Sequence, residues 1–199
     1  TVLSGLGHKL IEVDFSELTS GICSYYVIAP AECSSNLSRF DGVKYGYRSK
    51  GAKDIANLYM NTRSDGFGDE VKKRILIGTH VLSAGFYDAY YLQAQKVRRM
   101  IKLKFENFFK DVDLIFMPTT LDQAFEKNRK SDDPNRMYKE DLLTIPANLA
   151  GLPAISFPNG FKNNLPIAGQ LIGKYFGEDL LLNTTNKIQE VTDWHKMTP

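Results

Sequence analysis

Cysteine is scarce in this chain: Cys23 and Cys33 stand alone among 199 residues. Both fall on one predicted helix, roughly 15 Å apart at ~1.5 Å per residue, too far to bridge. That excludes a disulfide framework and predicts two buried free thiols in a reducing cytosol. Histidine is equally sparse. His8, His80 and His195 are scattered, and neither cysteine has a ligand at a recognised spacing, so no metal site is expected. A formal charge of +2 is small for a protein that lives on phosphate contacts. No apolar run approaches the ~20 residues of a membrane span, and Thr1 to Phe15 lacks the basic start and apolar block of a signal peptide. A GxSxG elbow is missing. Gly66-Phe67-Gly68 does not sit between a strand and a phosphate-facing helix.

What is present fits an ordinary core. Hydrophobic residues make up 43% and charged residues 24%, the balance of soluble globular proteins, and the length suffices for one domain. Thr1 to Gly7 reads as the last turn of a helix with a glycine stop, so the chain is expected to be a piece of a larger polypeptide. Lys9 to Phe15 alternates as a short strand. Gly21 to about Ser38 reads as a helix that Pro30 kinks or breaks, followed by a loop built on Arg39, Phe40 and Asp41. Further helices are predicted over Lys53 to Thr62, from Asp69, over Tyr87 to Phe109 with one buried face, and from Glu178 to about His195. Thr119 to Pro134 reads as a charged loop, and Met137 to Asn148 as a short helix interrupted near Pro146. Strands are predicted at Asp113–Met117, Ala154–Phe157 and Ile167–Ile172, with Pro158-Asn159-Gly160 turning between the last two. The alternation favours an α/β class with a mixed or parallel sheet.

Few side chains suggest chemistry. Lys96, Arg98, Arg99, Lys102 and Lys104 form a basic helix face, read as solvated. Ser34 and Ser35 read as helix serines. Arg74, beside Ile75-Leu76-Ile77, is a snorkelling surface arginine or a fork that grips a carboxylate. Asp141 is a first-turn acid or a partner for an ammonium group. Converging with Tyr25 or Tyr26, they would hold the zwitterionic end of an amino acid.

Three long strings, YYVIAPAECSSNLSRFDGVKYGYR, EVKKRILIGTHVLSAGFYDAYY, and DLLTIPANLAGLPAISFP followed by PIAGQLIGK, resemble the amidase signature family. Within it they are similar to the C-terminal part of the A subunits of glutamyl-tRNA(Gln) amidotransferases. The resemblance implies an α/β fold: residues 1–199 as the C-terminal portion of an amidase domain, a mixed sheet flanked by helices. It implies hydrolysis of glutamine to ammonia, which amidates glutamyl-tRNA(Gln) or aspartyl-tRNA(Asn). A B subunit with ATP and magnesium would engage the tRNA, and a small C subunit would support the assembly, in the cytoplasm. No cofactor is implied for this chain itself.

The family's serine, cis-serine and lysine belong to a glycine- and serine-rich signature that no string here matches, so no catalytic residue is expected in this segment. What carries over is glutamine recognition: Tyr25 lining the pocket, Arg74 on the α-carboxylate and Asp141 on the α-ammonium. A related carboxamide-hydrolysing amidase and a non-catalytic docking module are the alternatives. The pattern is broken at Ala168-Gly169, where Gly169 is expected to loosen its strand, and at Cys33, where alanine is usual. A half sheet would expose an edge and an apolar face, so the isolated chain is expected to self-associate.

Overall fold

In the computed structural model, residues 2–125 and 140–198 are described. The Thr119–Pro134 loop and the helix predicted from Met137 therefore lie partly outside the described residues. Contacts divide the chain into two units, one of residues 1–22 and 97–199, the other of residues 23–96.

The first unit carries a three-stranded sheet in the order β1-β3-β2, with β1 Leu114–Pro118, β2 Ala154–Lys162 and β3 Leu165–Gly173. Both pairings are antiparallel, where the sequence favours mixed or parallel. The reason is a hairpin. Asn163 and Asn164 both take positive φ, 52° and 61°, the two-residue turn that matches strand twist and that asparagine tolerates. Pro158 to Gly160 is thus no turn but a register shift within β2, a bulge taken up by Gly160 at φ 149°. Central β3 buries Gly169 to Gly173 continuously. Gly169 does not loosen it: a Cβ there would lie 2.5 Å from the Phe116 ring, so the glycine is what lets the neighbouring strand's aromatic lie close.

Short helix α1 (Val2–Gly5) ends before Gly7 at φ 84°, as its glycine stop predicts. Residues 9–15 form no strand: despite their alternation, they join no ladder. Helix α7, Glu178–Glu190, packs Leu181 and Ile188 onto Phe157 and Leu171, with Val2, Leu3, Leu6 and Trp194 around them. Helix α6, Ile145–Ala150, has proline in its first turn and Gly151 in the left-handed region at its end. Its last carbonyls accept from Arg98 Nε (to Leu149, 2.9 Å) and Tyr175 Oη (to Ala150, 2.6 Å). The buried Gln170 amide donates to the Pro118 and Leu143 carbonyls at 3.2 and 2.9 Å, tying β3 to what precedes α6.

In the second unit, α2 (Gly21–Leu37) runs on through Pro30 without a break. It is followed by α3 (Ile55–Gly66), α4 (Asp69–Val81), a π-helical turn (Tyr87–Tyr91) and α5 (Leu92–Phe108), whose later turns belong to the first unit. The helix expected over Lys53 to Thr62 continues to Gly66. The π turn offsets the helical phase. Tyr87 is therefore exposed while Ala94, Ile101 and Phe105 are buried. Asp54 caps α3 by accepting from Asn57 N at 2.7 Å, and that bond holds its carboxyl below the usual carboxylate range. Cys23 is exposed and Cys33 half-buried, not the buried pair expected: on α2 the buried stripe falls on Ser24, Ile28 and Ala31. Leu76, Met60 and Ile55 stand 70%, 63% and 57% exposed on the helices of this unit.

The loop after α2 is held by α3. Asp41 Oδ1 accepts from Val43 N at 2.8 Å and Lys44 N at 3.2 Å, an Asx turn. Gly42, at φ 76°, leaves room for Thr62, whose hydroxyl accepts from Ser49 N at 3.1 Å. Arg63 Nη1 donates to the carbonyls of Leu37 (2.9 Å) and Phe40 (3.2 Å). Arg63→Ala leaves both carbonyls without that donor and is expected to cost about 1–2 kcal/mol. Amide exchange confined to residues 38–47 should quicken; unchanged exchange there would show that the loop holds itself.

Candidate functional site

Arg74 lies in the middle of α4, on the face it presents to α2. Three features bring those helices together. A Cβ on Gly78 would sit 1.9 Å from the Pro30 carbonyl oxygen. Ser34 Oγ and Thr79 Oγ1 are hydrogen-bonded at 2.8 Å. Tyr25, half-buried on α2, reaches the Arg74 guanidinium with its hydroxyl. Residue numbers rise together along this contact, so the helices run in the same sense, with Arg74 one turn before the glycine contact and Tyr25 before Pro30. The side chain of Tyr25 also meets Tyr26 edge-on, ring centroids 5.1 Å apart, which restricts its ring.

Arg74 has a second partner that does not lie among its immediate neighbours in sequence. Glu70, one helical turn earlier, accepts from Arg74 Nε at 3.0 Å. The signal was in the sequence: glutamate four residues before arginine is the favourable order for such a pair. The Tyr25 hydroxyl first, and the Glu70 carboxylate second, hold the guanidinium's proton more tightly than in a free arginine. Arg74 is thus a permanent cation, fixed at its Nε edge and beside a phenol. Its planar fork can offer two parallel N–H donors to a carboxylate.

Asp141 belongs to the other unit. It is exposed, and its backbone carbonyl accepts from Thr144 N at 3.2 Å and Ile145 N at 3.0 Å as the chain enters α6. The structure therefore brings Tyr25 and Arg74 together, with Asp141 standing in the first unit.

Other candidates resolve into structural roles. Ser34 is bonded to Thr79, and Ser35 gives its carbonyl to the Ser38 hydroxyl. Of the basic face, Arg98 caps α6, Lys102 lies 5.3 Å from the Tyr175 ring centroid, and Lys104 pairs with Glu17 at 3.0 Å. Among the described residues, no group of three His, Cys, Asp or Glu side chains could hold a metal ion, and no helix is long and apolar enough to cross a membrane. A cavity of about 680 Å³ lies between Arg48 and Leu58, and another of about 590 Å³ runs along residues 8–13 and β1. Neither is lined by Tyr25, Arg74 or Asp141.

Comparison with known proteins places the chain in a family. The chain is 56% identical over 198 residues to the A subunit of the glutamyl-tRNA(Gln) amidotransferase of Hahella chejuensis, covering 100% of this chain and 41% of the relative. It is 54% identical to the corresponding protein of Coxiella burnetii, which bears the same name, covering 99% and 41%. The chain thus spans about two fifths of the length of the curated relatives it matches. Among solved structures it is similar to the protein of that name from Thermotoga maritima, at 37% identity and a TM-score of 0.67, over 100% of this chain and 38% of that one. It shares a fold with a 6-aminohexanoate cyclic dimer hydrolase at a TM-score of 0.71 and 20% identity, over 100% and 40%. The family described as Amidase matches residues 1–182, and the chain belongs to that family.

Proposed function

We propose that this chain is the glutamine-recognising part of an amidotransferase A subunit. That protein would release ammonia from glutamine for amidating glutamyl-tRNA(Gln) or aspartyl-tRNA(Asn). The observation that carries the reading is the Tyr25–Arg74 pair: a cation held against a phenol, on helices whose contact leaves no room for a methyl group. Its chemistry suits an α-carboxylate, gripped by the guanidinium fork with the Tyr25 hydroxyl beside it. Asp141 takes the α-ammonium group in this reading. Further support comes from the names of relatives more than half identical over nearly the whole chain. The nucleophile and its base lie outside these residues. ATP and magnesium act on a B subunit that holds the tRNA, a C subunit completes the assembly, and the complex is cytoplasmic.

A charge at each end of the ligand gives strong selectivity, because a substrate lacking one leaves a polar group unpaired. In the full-length enzyme, L-glutamine should be hydrolysed with a kcat/KM at least about 100-fold above that of its α-carboxamide or its Nα-acetyl derivative. Equal rates on all three, or on simple carboxamides, would instead identify an amidase with no amino-acid clamp.

A further inference from the structure

We infer that Glu70 is a positioning residue for the ligand carboxylate, acting through Arg74 and deepening the glutamine-recognition reading on which it rests. A guanidinium offers two edges to a carboxylate: the side edge of Nε with one Nη, and the end of the two Nη groups. Glu70 Oε1 occupies Nε at 3.0 Å, so the side edge is taken and the Nη groups remain for other acceptors. The same bond sets the rotation of the guanidinium plane. Tyr25 makes the second contact. Its oxygen accepts from the guanidinium, which turns the phenolic proton away from Arg74 and leaves it to donate to an incoming carboxylate. Two contacts restrain the guanidinium plane, and a restrained fork loses less freedom when it binds.

Stability does not explain the pair. The two side chains are 33% and 65% exposed, and an exposed pair four residues apart on a helix contributes little. A purely electrostatic view gives the opposite sign. Glu70 would then compete with a ligand carboxylate for the arginine, and its removal would tighten binding.

The experiment is steady-state hydrolysis in the full-length enzyme by Glu70→Ala, Glu70→Gln and Arg74→Ala, with L-glutamine and with its α-carboxamide. Glu70→Ala should raise the KM for glutamine about tenfold, the equivalent of one charge-assisted hydrogen bond, with the effect on KM rather than kcat. Glu70→Gln keeps an acceptor for Nε and should recover most of the loss. Both variants should affect the α-carboxamide less than glutamine, because it has no carboxylate for the fork to align. A fall in KM on removing Glu70, or an equal effect on both substrates, overturns the inference. If Arg74→Ala raises KM and Glu70→Ala does not, the positioning role fails while the recognition reading stands. If Arg74→Ala has no effect, the recognition reading itself fails.

Discussion

Replacing Gly78 with alanine is expected to destabilise the chain by about 3 kcal/mol, at the upper end of what overpacking usually costs. The added Cβ would lie 1.9 Å from the Pro30 carbonyl oxygen, 2.5 Å from its carbon and 2.8 Å from Ser34 Cβ. The first two are backbone atoms of a helix and cannot rotate aside, so α4 would have to move away from α2. That movement breaks the 2.8 Å contact between Ser34 and Thr79 and carries Arg74 away from Tyr25. Gly78→Ala should therefore weaken glutamine binding as well as folding, although residue 78 touches no ligand. Denaturant unfolding checks it: the midpoint should fall with the slope unchanged. Gly5→Ala is the control, since nothing lies within 4 Å of a Cβ there. A midpoint shift no larger than the control's would mean that the helices part easily and that the close contact is incidental.

Arg74→Ala should raise the KM for glutamine by roughly two orders of magnitude, since a carboxylate loses a charged bidentate partner whose bonds are each worth ~1.5–3 kcal/mol. The effect should fall on KM, because recognition of the α-carboxylate is remote from the amide that reacts. Arg74→Lys should recover only part of it: an ammonium is a point charge without a fork. Stability should change little, because the Arg74–Glu70 pair joins a half-buried arginine to an exposed glutamate, and such partly solvated pairs contribute little. Near-native melting with a large rise in KM is the expected combination. An unchanged KM would remove Arg74 from the site.

Both outcomes depend on one helix crossing, and the two halves of that crossing were unequally visible beforehand. Arg74 is recognisable as a candidate by its place at the border of an apolar run. Glu70 was equally available through its spacing, but its role depends on Tyr25 also reaching the guanidinium, a contact across 49 positions of chain. Gly78 carries no local signal at all. A glycine inside a helical pattern is ordinarily a weak point worth about 1 kcal/mol against alanine, and here the missing Cβ is what allows the contact. The hairpin is hidden in the sequence for a related reason. Pro158-Asn159-Gly160 has ideal turn composition, yet pairing continues past it to Lys162 and Leu165, and a bulge absorbs the glycine.

Periodicity and punctuation alone determined the helices from Gly21, Asp69 and Glu178, the long helix expected over Tyr87 to Phe109, the apolar strands β1 and β3, and the α/β class. The long strings alone were enough for the family. These features depend on local spacing, which the chain carries wherever it folds. Strand direction, the continuity of α2 through Pro30, the exposure of Cys23 and the failure of residues 9–15 to join a ladder were decided by tertiary structure. Each depends on which distant residue supplies the neighbouring atom. The same holds for the site: the sequence supplied a tyrosine, an arginine and a glutamate, and only the packing of Pro30 on Gly78 made the first two neighbours.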